Sequence, residues 1–142
     1  MWCDRMLVAY DGSAASERAL EMALGIAQQS PEVGIVFVHV ARLAGTGGSM
    51  AGMDAMIAAE ADQTRIRLEE IAGSIPNPTE VKVLVGTSPA DLVVRCAREE
   101  GCDLIIMGSR GRGGVKGYLG SVSYAVTKES PVAVLIAKED ER

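Results

Sequence analysis

Five short apolar runs recur along the chain, separated by longer stretches in which apolar residues return every three or four positions. The runs predict strands at Met6–Tyr10, Val33–Val40, Val81–Val85, Cys102–Met107 and Pro131–Ala137. The first and fourth are almost wholly apolar, as befits strands buried on both faces. The longer stretches predict helices. Ala19, Leu20, Ala23, Leu24 and Ala27 share one face of a helix over Ala14–Gln29, with Ser13 placed to cap it and Ser30-Pro31 to end it. A second helix is expected over Asp54–Ala72. A third runs from Ser88-Pro89 to about Glu100, with proline at its first position, and a fourth starts at Ser121. Ala41–Gly52, rich in Gly, Ser and Ala, reads as a loop that includes Met50, while Met53 and Met56 follow close by. Strands alternating with helices give an α/β fold, a five-stranded parallel sheet with helices on both faces, in one domain over 1–142.

Such sheets bind ligands beyond the carboxyl ends of their strands, where the strand order reverses. The stretch that follows the fourth strand is the richest in chemistry. Gly108-Ser109-Arg110-Gly111-Arg112 begins a glycine-rich loop that ends at Gly120-Ser121, where the fourth helix starts. Glycines let main chain approach an anion, and the N–H groups of a first helical turn point at it. Arg110 and Arg112 place positive charge in the loop of a chain whose net charge is −5, so an anionic ligand is expected at this place rather than along the surface. Asp11, at the end of the first strand, falls beside it in this topology. Asp11-Gly12 is also a common turn pair.

Composition narrows the partners. The acidic balance argues against nucleic acid and anionic membrane, and no apolar run approaches the roughly 20 residues of a membrane span. The first apolar stretch is too short for a signal-peptide core, so a cytoplasmic location is expected. Cys3, Cys96 and Cys102 form no CxxC pair or Cys/His cluster, so inert thiols and no metal site are expected. His39, the single histidine, has no Ser or Cys nucleophile in its neighbourhood and reads as a structural strand-end residue. The carboxylates Glu60, Asp62, Glu69 and Glu70 read as a solvated helix face.

Taken in order, Leu7-Val-Ala-Tyr-Asp-Gly-Ser13, His39-Val40, Val85-Gly86-Thr-Ser-Pro89, Asp103-Leu-Ile-Ile-Met-Gly-Ser-Arg-Gly111, Gly120-Ser-Val-Ser123 and Ser130-Pro-Val-Ala-Val-Leu-Ile136 resemble the universal stress protein (UspA-like) family over nearly the whole chain. The resemblance implies a flavodoxin-like or Rossmann-like sheet of the adenine nucleotide alpha hydrolase-like kind, a homodimer and, in one branch, an ATP site. Carried over, Gly108, Gly111, Gly120 and Ser121 would hold the phosphates, with Ser109, Arg110 and Arg112 in the same loop. Val122 and Ser123 would add backbone or hydroxyl donors. Asp11 would meet the adenosine end, Val40 and Met107 would line the adenine, and Ala9 would stand where many relatives have proline. The ligand implied is ATP, alone or with Mg2+. Between Gly111 and Gly120 the chain has eight residues, one fewer than the G-x2-G-x9-G-[ST] pattern of that branch. The shorter stretch either tightens the loop between fixed ends or turns the helix start by about 100°.

Three functional classes follow. The first is an ATP-binding regulatory module, in which the ligand changes dimer state or partner affinity. The second is a nucleotide-independent dimeric stress scaffold. The third, an enzyme, is disfavoured: there is no GxxxxGK[ST] loop, and no positioned base or set of metal ligands for phosphoryl transfer, although slow hydrolysis is compatible with the sequence. A homodimer is expected through Pro131–Ala137, an apolar run that comes last and so falls at a sheet edge.

Overall fold

In the computed structural model, which describes residues 2–43, 51–111 and 119–139, hydrophobic alternation becomes two separate cores. The elements run β1 (Arg5–Ala9), α1 (Ala14–Gln29), β2 (Gly34–Arg42), α2 (Ala51–Gly73), β3 (Thr79–Gly86), α3 (Pro89–Glu99), β4 (Leu104–Gly108), α4 (Ser121–Glu129) and β5 (Ala133–Ala137). All pairings are parallel, in the order β3-β2-β1-β4-β5. Of the two orders expected, this is the Rossmann-like one. On one face Met6, Val8, Ile35, Phe37, Leu104 and Ile106 pack against Leu20 and the alanines of α1, and against Leu68 of α2. Their sequence neighbours Leu7, Val36, Val38, Ile105 and Met107 point the other way, onto α3 and α4. Each strand residue of period two thus meets a different helix layer.

Several ends differ from the sequence pattern for local reasons. β2 continues through Ala41 and Arg42 because both pair with β3, at Val85 and Gly86. The expected Ala41–Gly52 loop is therefore shorter at both ends, since α2 already begins at Ala51; residues 44–50, Met50 among them, lie outside the described residues. β4 starts at Leu104 because Gly101, at φ +68°, reverses the chain after α3, and Cys102 N–H closes that turn on the Ala97 carbonyl at 2.8 Å. β5 starts at Ala133, since Ser130 and Val132 bond each other in a turn around Pro131. Among the described residues no helix is long and apolar enough to cross a membrane.

All three thiols are buried. Burial, followed by the Asp103 carboxylate, pushes Cys3 up to about 12, and burial pushes Cys102 up to about 11. Both stay protonated, and weakly nucleophilic, at neutral pH.

One side chain fixes the passage from α1 into β2. The buried Asn77 amide, between α2 and β3, donates to the carbonyls of Ala27, Ser30 and Val33 at 3.3, 3.0 and 2.9 Å. The Ala27 and Ser30 carbonyls also accept from Ser30 N–H at 3.2 Å and Val33 N–H at 3.0 Å, so Asn77→Ala weakens two carbonyls and takes the side-chain donor from the third, at a cost of about 2 kcal/mol. We expect the urea midpoint to fall accordingly and the melting temperature by roughly 6 °C; an unchanged midpoint would mean that water replaces the amide.

Candidate functional site

β1 and β4 are neighbours, yet the chain leaves them for opposite faces: from β1 into α1, and from the loop after β4 into α4. A cleft of about 520 Å3 opens beyond their carboxyl ends. Ala9, Asp11, Val40, Met107, Gly108, Arg110, Gly111, Gly120, Ser121, Val122 and Ser123, all expected at the site, line it. Ser109 is not among the lining residues, and Arg112 lies outside the described residues. Residues 112–118, which make up all but the last of the eight between Gly111 and Gly120, likewise lie outside the described residues, while both ends of the loop are described.

The floor is held by side chains that cap their own backbone. Gly12 takes φ +82°, which lets the chain turn sharply out of β1. Asp11 Oδ1 accepts from Ser13 N–H at 2.9 Å, and Ser13 Oγ accepts from Ser16 N–H at 3.2 Å, capping α1 as the sequence predicts. Ser13 Oγ also donates to the Arg110 carbonyl at 3.4 Å, joining this turn to the glycine loop. Asp11 thus shapes the turn with one carboxylate oxygen. Its other oxygen lies so near Gly111 that a Cβ there would sit 2.7 Å away.

His39, expected at a strand end, lies inside β2, paired with Val83, because β2 continues to Arg42, and it lines the cleft. Its Nδ1 donates to the Tyr10 carbonyl at 3.0 Å, tying β2 to the turn that leaves β1, so that nitrogen carries the proton. Tyr10 in turn donates its hydroxyl to Glu17, and Arg67 of α2 reaches both, the tyrosine oxygen at 3.0 Å and the Glu17 carboxylate at 3.0 Å. Burial, reinforced by the Glu17 carboxylate, raises the Tyr10 pKa.

The loop itself divides into bracing and open parts. Ser109 N–H donates to Ala137 O at 2.8 Å, and Gly120 N–H donates to Ser109 O at 2.7 Å, so both amides are engaged inside the protein. The Ser123 hydroxyl, expected as a ligand donor, gives its hydrogen to Gly108 O at 2.8 Å. What stays open is the first turn of α4. Its N-cap is Gly120, which has no side chain to close it, so the helix start can receive an anion. Arg110 faces the cleft but is ion-paired with Glu139, and the two side chains are only 14% and 23% exposed.

Sequence reasoning missed part of the wall. Ile57 and Glu60 of α2, Pro89 and Val93 of α3, and Arg42 at the end of β2 line the cleft; Glu60, like Asp62, Glu69 and Glu70, is exposed as expected and also borders the opening. Beside the α4 N-terminus the lining is largely apolar, with Val38, Val40, Val93, Met107 and Ile57. An elongated ligand with a flat apolar part and an anionic end fits this arrangement.

Comparison with known proteins agrees with the fold. Residues 3–138 match the model of the Universal stress protein family. The chain is 33% identical over 148 residues to the universal stress protein YxiE of Bacillus subtilis, covering 95% of this chain and 99% of that one. It is also 33% identical over 138 residues to the universal stress protein Rv2623 of Mycobacterium tuberculosis, of which it spans 45%. A universal stress protein solved in complex with cAMP superposes with a TM-score of 0.73 at 23% identity, covering 99% of this chain and 100% of that one. A family protein from Arabidopsis thaliana solved with AMP bound gives 0.73 at 19% identity, over 96% and 92%.

Gly108 owes its identity to packing. A Cβ there would lie 2.7 Å from Ala15 C and Ser16 N, main-chain atoms of the first turn of α1 that no rotamer change can move. Gly108→Ala should therefore destabilise the ligand-free protein by about 1–3 kcal/mol. Chemical denaturation without any nucleotide is the measurement; an unshifted midpoint would show that β4 and α1 part without cost.

Proposed function

We propose that this chain, which belongs to the universal stress protein family, is a regulatory module that binds an adenine nucleotide, ATP above all, in the cleft between β1 and β4. In this reading residues 1–142 act as one domain. One observation carries it: the uncapped start of α4 at Gly120-Ser121-Val122 opens onto the same cleft as Asp11 and the apolar wall of Val40 and Met107. The triphosphate would lie on the first turn of α4, where N–H groups and the positive end of the helix dipole converge. The adenosine would reach toward Val40 and Met107, with Asp11 at the ribose. That two proteins of this fold were solved with AMP and with cAMP supports an adenine nucleotide as the class of ligand. Among the described residues no group of His, Cys, Asp and Glu is set to hold a metal, so Mg2+ would arrive on the phosphates. The role assigned is binding, and slow hydrolysis of the bound ATP is compatible with it.

A second reading, a dimeric scaffold that needs no nucleotide, draws on a different observation: Arg110 is already paired with a carboxylate of the same chain. The two readings part on ligand stabilisation. ATP at a hundredfold excess over its Kd should stabilise the native state by about 2.7 kcal/mol, which for a chain of this size raises the melting temperature by roughly 8 °C. Gly111→Val should abolish the rise, because its side chain would displace the Asp11 carboxylate. Asp11→Asn, which keeps an acceptor for Ser13 N–H, should reduce it. A wild type unmoved by millimolar ATP leaves the scaffold reading in possession.

Both readings include a homodimer through β5. β5 lies at a sheet edge, paired only with β4. The opposite edge, β3, carries Glu80 and Lys82, joined by ion pairs to Arg5 and Glu100, and charge of this kind discourages strand addition. The run Ala133–Ala137 is apolar throughout and has no such guard. Val134→Lys should move the protein toward monomer in size-exclusion with light scattering, the melting curve confirming that the fold is kept. Wild type eluting as a monomer at micromolar concentration overturns the dimer.

A further inference from the structure

We propose that Glu139 is a built-in competitor for the anionic end of the ligand: it holds the loop arginine, Arg110, in an ion pair that incoming phosphates must break. The inference rests on the nucleotide reading above and adds a regulatory element to that site.

Sheet register brings the two residues together. β5 runs beside β4 until Ala137 pairs with Gly108, and Ser109 N–H fastens that last step to Ala137 O at 2.8 Å. The segment leaving β5 therefore emerges at the mouth of the cleft, and Glu139 comes two residues later. Its carboxylate meets a guanidinium nitrogen of Arg110, which lines the cleft. To a guanidinium, a carboxylate and a phosphate are the same kind of partner, planar or tetrahedral oxygen anions that accept charge-assisted hydrogen bonds. The Glu139 charge also repels any anion approaching the start of α4, in a chain that already carries net −5.

The magnitude makes this a regulator rather than a block. With both side chains mostly sheltered, the pair is screened less than a surface one, yet it is a single contact near the edge of the protein. A triphosphate, bringing several charges and a helix N-terminus to meet them, can displace one carboxylate. A monophosphate is less able to do so, and an uncharged nucleoside has no reason to. Glu139 would thus grade the cleft by ligand charge, admitting triphosphate in preference to monophosphate only when enough anion is present to outcompete it.

Calorimetric titration of the full chain with ATP, AMP and adenosine, on wild type and Glu139→Gln, tests this. Glutamine keeps the length and hydrogen-bonding capacity of the side chain and removes the charge. We expect ATP to bind Glu139→Gln on the order of fivefold more tightly, the scale of one ion pair of this kind, with adenosine unchanged. Glu139→Lys should give at least as large a gain, and melting curves establish that both variants are folded. In an Arg110→Gln background the Glu139→Gln change should give a smaller gain, since the ion pair is already gone and only the repulsion of the carboxylate for the phosphates is relieved. ATP affinity that is equal or lower in Glu139→Gln, with wild type still binding, overturns the proposal and leaves the nucleotide reading standing. Absence of ATP and adenosine binding in wild type and variants alike overturns both.

Discussion

Gly108 lets the end of β4 lie against the first turn of α1 with no side chain between them, and the geometry of the cleft follows from that approach. A methyl group there would sit 2.7 Å from main-chain atoms of Ala15 and Ser16. Because the two backbones touch, the turn that enters α1 and the loop that leaves β4 become neighbours, and Ser13 can reach the Arg110 carbonyl. Asp11 and Gly111 come face to face for the same reason. A larger residue at 108 would separate β4 from α1 and open the floor of the site. Glycine is needed here less for an unusual dihedral angle than for close packing of main chain against main chain.

Around that contact the polar groups divide into those used by the protein and those left for something else. Ser109 and Gly120 give their amides to Ala137 and Ser109, and Ser123 gives its hydroxyl to Gly108. These bonds keep the loop ends in place while the helix start they frame stays without a side-chain cap. α1 makes the contrast: its first turn is closed by Ser13. Of the helices that begin at this cleft, α1 is sealed by its own sequence, α3 and α4 have no side-chain cap, and α4 is the one that follows the arginine-bearing loop. The positive charge of Arg110 is balanced in the resting protein by Glu139, so ligand binding would exchange one anion for another rather than satisfy a bare cation.

The period-two alternation of the strands, the helical spacing of Ala19 to Ala27 and the Ser13 cap were legible because they act within a few residues. So was the meeting of Asp11 with the glycine loop, because the connection rules of α/β sheets dictate which strand ends converge. Less legible was anything that depends on register between distant segments. Arg42 lines the cleft because β2 extends two residues to pair with Val85 and Gly86, and Ile57 and Glu60 do so because α2 crosses the same end of the sheet. In the sequence Glu139 is one charge in the run Lys138–Arg142 that follows the last strand, and the Gly108–Ala137 pairing is what brings it to Arg110. The roles of Ser109 and Ser123 were hidden for a related reason: a hydroxyl or amide in a glycine-rich loop reads as a ligand donor until the internal carbonyl it meets is known.

The pairing of β4 with β5 also orders events in time. As the chain is synthesised, β1 to β4, α4 and the glycine loop all precede Ala137 and Glu139, so the sheet's central strands and both helix starts can exist before the loop is fastened. Until Ala137 arrives, Ser109 N–H lacks its carbonyl, and until Glu139 arrives, Arg110 lacks that carboxylate. A nascent chain at that stage would present its loop arginine without this counter-charge. The last strand in the chain is therefore the one that sets the resting electrostatics of the cleft, and a chain that stopped short of it would keep both helix starts and lose the carboxylate that faces Arg110.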